Sequence, residues 1–295
     1  TRATPSALQI TVLAINQESA DQSTSQPLER ENNTPDSDKP ELSTDIDATP
    51  PIPIEPTSEP AIVTDYGNKP RIAIIVHSLG LREATTRQAI EELPAEVTLA
   101  FSPYGQNLKE WARLASEYGH EYLLMVPMEP LRYPANNPGP DTLLKDASVS
   151  ENISRLQSVL SRMEGYIGVM NDMGSAFTAN ENAMRPILQE LKRDDLLFID
   201  TRATNFSIAA SLSKKMGLKT AYNNRYLDLD PSSNAIGEIL GTLEDISITR
   251  GASVGIARPL PVSLQSIATW GKNTTDQGEI ALVPVSAIAN RQPIR

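Results

Sequence analysis

Short apolar runs alternate with amphipathic stretches along the chain from residue 71 onward. Most of the apolar runs are continuous, as is typical of parallel β-strands that are covered on both faces. Strands are therefore predicted at residues 72–76, 97–101, 122–126, 166–170, 196–199, 220–222, 253–257 and 279–283.

Between the predicted strands, apolar residues recur at the spacing of one face of an α-helix. Helices are predicted at residues 85–93, 106–118, 151–163, 181–192, 207–216, 235–250 and 263–270. This alternation over about 225 residues predicts an α/β fold, an irregular (β/α) barrel of seven or eight units. An open doubly wound sheet is the alternative. It is disfavoured because residues 76–80, at the end of the first strand, read VHSLG and not Gly-x-Gly-x-x-Gly.

Composition divides the chain near residue 70. Residues 1–70 hold 12 Asp and Glu against 4 Lys and Arg, with 10 of the 23 prolines and one aromatic residue, Tyr66. Because so little apolar surface cannot offset the entropy of ordering a backbone, residues 1–69 are predicted to form a disordered, acidic, proline-rich leader. The barrel domain is predicted to span residues 70–287, and residues 288–295 are predicted to form a C-terminal tail.

Composition also excludes several classes of partner. The chain has no cysteine, which excludes disulfides and thiolate chemistry. Its formal net charge is −11 and it has no basic cluster, which argues against nucleic acid and anionic membrane surfaces. No apolar run approaches the roughly 20 residues of a transmembrane helix. Because the sequence starts at Thr1 with an acidic spacer, we expect a periplasmic or otherwise extracytoplasmic protein, anchored or exported through a missing N-terminal segment.

Polar and ionisable side chains follow most of the predicted strands. In parallel α/β folds the carboxyl ends of the strands form the functional face, so these residues are candidates for one site. They are His77, Ser78, Ser102, Tyr104, Glu129, Asn171, Asp172, Asp200, Arg202 and Arg258. Ser102 alone is explained as an ordinary helix cap, whereas so many ionisable groups at equivalent ends favour a binding or catalytic role for the set.

Several segments resemble, in the same order, motifs of the divergent polysaccharide deacetylase family, a branch of the bacterial carbohydrate deacetylases. The matching segments are residues 97–104, 119–130, 133–144, 168–177 and 196–202. The most specific of them contains the sequence NPGPDTLL at residues 137–144. The resemblance covers about residues 70–285. It implies an irregular barrel of the glycoside hydrolase/deacetylase type and a role in carbohydrate metabolism at the bacterial cell envelope.

The departures from the family fall on its chemical positions. His77 and Ser78 replace the family's usual aspartate pair, Asp172 replaces a histidine, and Arg258 replaces the histidine after the seventh strand. Deacetylases of this class use a divalent metal and a carboxylate base, so the resemblance implies that the ligand set is missing here. Arg258 would also repel a nearby divalent metal. We therefore expect a pseudoenzyme without a cofactor. It would bind a polysaccharide, a peptidoglycan-type glycan or an envelope protein partner.

An active carbohydrate deacetylase with a rearranged metal site is the alternative hypothesis. In it, His77, Asp172 and Asp200, together with Glu129, supply ligands to an ion such as zinc. Catalysis is then assigned to His77, Asp172 and Glu129. The residues predicted to bind substrate are Ser78, Tyr104, Asn171, Asp200, Arg202 and Arg258. Guanidinium groups pair well with carboxylates, so the two arginines are candidates for binding an acidic glycan or a peptidoglycan stem.

Overall fold

The computed structural model describes residues 66–294, in which a parallel β-sheet is surrounded by helices. Its strands are β1 Arg71–Leu79, β2 Thr98–Phe101, β3 Tyr122–Met128, β4 Gly168–Met173, β5 Leu197–Asp200, β6 Thr220–Tyr222, β7 Arg225–Tyr226, β8 Ala252–Ala257 and β9 Ala281–Leu282. Its α-helices are α1 Glu83–Glu92, α2 Leu108–Glu117, α3 Val149–Leu160, α4 Glu181–Arg193, α5 Ala209–Lys215, α6 Ser233–Arg250 and α7 Pro261–Gln277. A 3-10 turn, Val285–Ile288, follows β9.

The sheet curls into a barrel because one short segment joins its two edges. The hydrogen-bonded order of the strands is β6-β5-β4-β3-β2-β1-β8-β7, and β9 lies beside β1. β6 pairs with β5, whereas β7 pairs with β8, and only Asn223 and Asn224 separate β6 from β7. The backbone N–H of Asn223 donates to the carbonyl of Asp200, and that of Asn224 donates to the carbonyl of Val254. The chain therefore passes from one edge of the sheet to the other within this segment.

Alternate residues of each strand face the inside and the outside of the barrel. In β1, Ala73 and Ile75 belong to an inner apolar cluster, whereas Ile72 and Ile74 belong to the layer between the sheet and the helices. The other strands contribute to the inner cluster Ala100, Leu123, Met125, Met170, Leu197, Ile199, Ala221, Ala252, Val254 and Ile256. Because both faces are buried, the strands read as continuous apolar runs in the sequence.

The helices pack on the outer layer through apolar stripes. The stripe of α4 follows the i, i+3, i+4, i+7 spacing of one helix face and consists of Met184, Ile187, Leu188 and Leu191. Asn180 caps this helix, since its side-chain oxygen accepts a backbone N–H of the first turn at 3.1 Å. Within residues 66–294, no helix combines the length and apolarity needed to cross a bilayer.

The predicted α/β barrel is confirmed, and every predicted strand overlaps an observed strand. The sequence pattern missed β7, because two residues are too few to form a recognisable apolar run. It also ended the last helix at residue 270, whereas α7 continues to Gln277. Gly271 stays helical and is buried against Pro94, and Gly278, with a φ of 69°, ends the helix instead.

The structure describes the predicted C-terminal tail up to residue 294, but it describes only residues 66–69 of the predicted leader. Most of the predicted leader, residues 1–65, lies outside the described residues. The predicted tail, in contrast, is hydrogen-bonded to β6. The Gln292 side chain accepts the backbone N–H of Tyr222 at 2.7 Å and donates to its carbonyl at 2.8 Å. The Tyr222 hydroxyl donates to the carbonyl of Pro293 at 3.0 Å, so the barrel domain extends at least to this residue.

Gly168, at the start of β4, lies too close to β5 to tolerate a side chain. A Cβ added there would lie 2.3 Å from the backbone oxygen of Leu197. Gly168→Ala is therefore expected to lower the free energy of unfolding by about 1–3 kcal/mol. The matched control is Gly237→Ala in α6, where no atom lies within 4 Å of the new Cβ and a gain of about 0.5–1 kcal/mol is expected. Urea titration of both variants measures the difference, and equal stabilities would contradict this account.

Candidate functional site at the mouth of the barrel

Because the strands are parallel, the loops that follow them gather at one end of the barrel, its mouth. A cavity of about 200 Å³ opens there. Its floor is apolar and is formed by Met125, Met170 and Ile256. Its walls are formed by His77, Asn171, Asp172, Met173, Thr201, Ala203 and Tyr226. Of the sequence-predicted site residues, His77, Asn171 and Asp172 are thus brought together in one pocket.

His77 lines the pocket because it continues the inward-facing series of Ala73 and Ile75 in β1. The register of β1 against β2 shifts just after Val76, which re-aims the end of the strand. Ser78 adopts a φ of 61°, and its hydroxyl lies 2.8 Å from His77 Nδ1. Burial lowers the pKa of His77 to about 4, with opposing smaller effects of the nearby acidic and basic side chains. His77 is therefore a neutral imidazole at pH 7.

Asp172 faces the same pocket because it lies two residues after the inward-facing Met170. Burial raises the pKa of its carboxyl group to about 6, and a hydrogen bond from the backbone of Met173 only partly offsets this effect. In the described part of the chain, Asp172 forms no ion pair. The pocket therefore carries one uncompensated negative charge at neutral pH.

Asn171 positions the loop that carries Asp172. Its side-chain Nδ2 donates to Thr201 Oγ1 at 2.6 Å and to the carbonyl of Met173 at 2.7 Å. Its Oδ1 accepts the backbone N–H of Thr201 at 2.9 Å. The amide is thus fully engaged in joining the ends of β4 and β5, and it holds the pocket wall in place. Its predicted role in binding substrate stays a prediction.

Tyr226 is a wall residue that the sequence analysis missed. Its hydroxyl donates to the carbonyl of Thr201 at 2.8 Å, so it joins β7 to the loop after β5. Burial raises the pKa of this hydroxyl, which stays protonated at neutral pH. The residue is the second of the two residues of the unpredicted strand β7. Two residues are too few to form a recognisable pattern, so no local signal in the sequence indicates Tyr226.

Asp228, also missed, is the buried partner of Arg258. It is 3% exposed, and its carboxylate accepts the backbone N–H of Arg258 at 2.8 Å and the hydroxyl of Ser263 at 2.9 Å. The Nε of Arg258 lies 3.4 Å from Asp228 Oδ1, and the guanidinium also donates to the carbonyl of Asp228. The charge of Arg258 is thus balanced within the protein, and its predicted pairing with a ligand carboxylate stays a prediction.

Asp200 faces away from the pocket. Ile199 points into the barrel, so the next residue points towards the helices. The Asp200 carboxylate accepts the backbone N–H groups of Arg202 at 2.8 Å and Ala210 at 3.3 Å, and the hydroxyl of Ser207 at 2.8 Å. These contacts organise the start of α5. Asp200 is therefore not among the residues that line the cavity with His77.

Arg202 also lies outside the pocket. Its guanidinium carbon is 3.7 Å from the ring centroid of Tyr222, a cation–π contact. Ala221 points into the barrel, so Tyr222 points outward and holds Arg202 on that side. Within the described residues the Arg202 side chain forms no ion pair, and its predicted contact with an acidic glycan stays a prediction.

Glu129, after β3, supports a neighbouring loop. Its Oε2 accepts the backbone N–H of Lys145 at 2.7 Å. Its carbonyl accepts the backbone N–H groups of Ala176 at 3.0 Å and Phe177 at 3.1 Å. Glu129 is thus engaged with two loops of the mouth and is not among the residues that line the cavity.

Tyr104, after β2, is not among the residues that line the pocket. Its hydroxyl accepts the backbone N–H of Asp141 at 3.1 Å, and Arg162 lies 5.1 Å from the centre of its ring. Burial raises the pKa of Tyr104, and the charge of Asp172 adds a small effect in the same direction. Tyr104 is thus engaged with the loop that carries Asp141, and its predicted role in binding substrate stays a prediction.

The family described as divergent polysaccharide deacetylase matches residues 74–289, nearly the whole described domain. The chain belongs to the divergent polysaccharide deacetylase family. The uncharacterized protein YibQ of Escherichia coli K12 is 25% identical over 225 residues, covering 76% of this chain and 69% of that protein. A Haemophilus influenzae protein is 24% identical over 209 residues, covering 69% and 71%. The crystal structure of an uncharacterized Agrobacterium tumefaciens C58 protein has a TM-score of 0.72 and 35% identity. The match covers 75% of this chain and 89% of that one.

In this chain, the side chains at the mouth of the barrel do not form a binding site for a divalent metal. Within residues 66–294, no three His, Asp or Glu groups are placed to hold an ion. His77 and Asp172 supply two donors, whereas Asp200 is bonded to the start of α5 and Asp228 is bonded to Arg258 and Ser263. The rearranged ligand set of the alternative hypothesis is therefore not assembled at the mouth of the barrel.

Proposed function

We propose that this domain binds a glycan at the mouth of its barrel and lacks metal-dependent deacetylase activity. The observation that supports the proposal most is the donor set of the pocket, which consists of His77 and Asp172 without a third ligand. Zinc in structural and catalytic sites of proteins normally takes at least three protein ligands. At the position of the family's last histidine, Arg258 brings a permanent positive charge instead.

Membership of the family supports a glycan as the ligand. The pocket has the mixed character that such a ligand requires, with an apolar floor and a wall of polar side chains. Its volume of about 200 Å³ is small, so we propose that it receives one sugar residue or one substituent of a longer chain. The rest of the glycan would lie across the loops of the mouth.

The same proposal includes the location of the protein in the cell. We propose an extracytoplasmic protein of the bacterial envelope, which is where a peptidoglycan-type glycan is found. The acidic, proline-rich segment before the barrel supports this, since such a spacer holds a domain away from its point of attachment. Fractionation of cells that produce the protein from its native gene tests it, and recovery in the cytosol alone would contradict it.

The first functional prediction concerns metal and acetate. Purified protein is expected to contain zinc well below one equivalent and to release no acetate from acetylated chitooligosaccharides or peptidoglycan. It is expected to bind one of these glycans, and His77→Ala should weaken binding about tenfold because the substitution removes a wall of the pocket. Asp245→Ala, an exposed carboxylate on α6, is the control and should bind like the parent protein.

Elemental analysis, acetate assays and calorimetric titration make these measurements. One equivalent of zinc, together with acetate release that His77→Ala abolishes, would establish the competing active hydrolase. Absence of binding to every glycan tested would contradict the proposed function itself.

A further inference from the structure

We propose that the pocket selects a ligand with a protonated primary amine, namely an amino sugar in preference to its N-acetylated form. The proposal rests on glycan binding as proposed above and names the chemical group that the pocket recognises. Its basis is the side chain of Asp172, a carboxylate that lines the pocket wall and has no cationic partner within residues 66–294.

The other polar groups of the pocket are already bonded. The Asn171 amide is engaged with Thr201 and Met173, and the Tyr226 hydroxyl donates to the carbonyl of Thr201. The polar groups of the wall that can still bond a ligand are therefore the Asp172 carboxylate, which accepts a hydrogen bond only from the backbone of Met173, and His77 Nε2, for which the described residues provide no hydrogen bond. A ligand that enters the pocket is therefore expected to place its polar groups in hydrogen bonds with these two side chains.

No positive side chain repels a cation from the pocket. Its lining residues include neither Lys nor Arg. Arg258 is balanced by the buried carboxylate of Asp228, and Arg202 is stacked on the outward-facing Tyr222. Asp172 is therefore the one acidic side chain among the lining residues, and a cationic ligand would balance its carboxylate.

An ammonium group and an acetamide differ sharply in what they offer this pocket. An ammonium group has three N–H donors and a positive charge, so it forms a charge-assisted hydrogen bond with the Asp172 carboxylate. An acetamide has one N–H donor and a carbonyl oxygen, and that oxygen would be repelled by the carboxylate. It is also bulkier, in a cavity of about 200 Å³. The amine should therefore bind about tenfold more tightly or better.

The experiment is a calorimetric titration of the full chain at pH 7 with a β-1,4-linked glucosamine disaccharide and with its di-N-acetylated form. The free amine is expected to bind at least about tenfold more tightly. Asp172→Asn keeps the shape of the side chain but removes its charge, and it should reduce this preference to within about twofold. Asp230→Asn, an exposed carboxylate after β7, is the matched control and should retain the full preference.

The outcomes separate this inference from the function on which it rests. Equal or tighter binding of the acetylated disaccharide would overturn the amine preference and leave glycan binding intact. A preference that survives Asp172→Asn would also overturn it, because the carboxylate would then not be its source. If neither disaccharide binds, the inference fails, whereas the proposed glycan binding fails only if every other glycan tested is also not bound.

Discussion

Asp228→Ala is expected to lower the free energy of unfolding by about 2–4 kcal/mol. The carboxylate is buried, and it holds the backbone and Nε of Arg258 and the hydroxyl of Ser263. Removing it leaves these donors without their acceptor and leaves the positive charge of Arg258 unbalanced. Because Arg258 is 47% exposed, water takes over part of its solvation, and the expected loss stays below that of a fully buried pair.

Denaturant titration followed by circular dichroism measures this effect. Asp245→Ala, which removes an exposed carboxylate from α6, is the control and should change stability by less than about 0.5 kcal/mol. Arg258→Met combined with Asp228→Leu should recover part of the loss, since apolar residues of similar volume often replace such a pair without cost. An Asp228→Ala variant as stable as the control would show that the pair does not anchor β7 and β8.

Asp172→Asn is expected to stabilise the protein at pH 7 by roughly 1–3 kcal/mol. Burial raises the pKa of Asp172 to about 6, from about 3.9 in an unfolded chain. Between these values the native state binds more protons than the unfolded state, so the contribution of Asp172 to stability falls as the pH rises. Above pH 6 the full penalty is present, and asparagine removes it.

The burial of His77 changes the free energy of unfolding with pH in the opposite direction to that of Asp172, over nearly the same pH range. Burial lowers its pKa to about 4, from about 6.5 in an unfolded chain. Between these values the unfolded state binds more protons, so the contribution of His77 to stability falls as the pH decreases. In the parent protein the two slopes, each about 1.4 kcal/mol per pH unit, oppose each other and largely cancel.

Measurements of the free energy of unfolding from pH 4 to pH 8, for the parent protein and for the Asp172→Asn and His77→Gln variants, test both residues. Relative to the parent protein, the gain from Asp172→Asn should be near zero at pH 4 and complete by about pH 6.5. The gain from His77→Gln should be largest at pH 4 and should vanish by about pH 7, because the parent imidazole is then neutral in both states. Gains that are independent of pH would show that packing, and not ionisation, causes them.

A residue whose charge lowers stability at working pH is typical of a binding or catalytic site. Asp172 fits this description, since a neutral side chain of the same shape is available in asparagine. The stability experiment and the amine titration therefore both test the Asp172 carboxylate. The first measures what its charge costs in stability, and the second measures its role in ligand preference. Asp172→Asn should gain stability and lose ligand preference.

The architecture of the barrel could be predicted from the sequence because it depends on local patterns. Continuous apolar runs such as 72–76, in alternation with amphipathic stretches, are typical of a parallel sheet that is buried on both faces. The amphipathic stretches between them supply the covering helices. Strand β7 escaped prediction because its two residues, Arg225 and Tyr226, are defined by pairing with β8 and not by their own apolarity.

The candidate site could be predicted only as a set of positions after strands. His77, Asp172 and Asp200 all follow apolar runs, and nothing local distinguishes them. The structure places the first two in the pocket, whereas Asp200 faces α5. Asp228, which follows the unpredicted β7, could not be placed at all.

The sequence by itself thus determined the class of fold, the order of its elements and the end of the barrel at which polar residues gather. The tertiary structure decided which of those residues meet. The physical reason is the burial of both strand faces. In a half-exposed strand, polar and apolar residues alternate, so the sequence shows which residues face the core. In a strand that is apolar on both faces, the sequence does not distinguish the inner face from the outer one. Which residue faces the inside is fixed by the register between strands, and register follows from packing across the whole barrel.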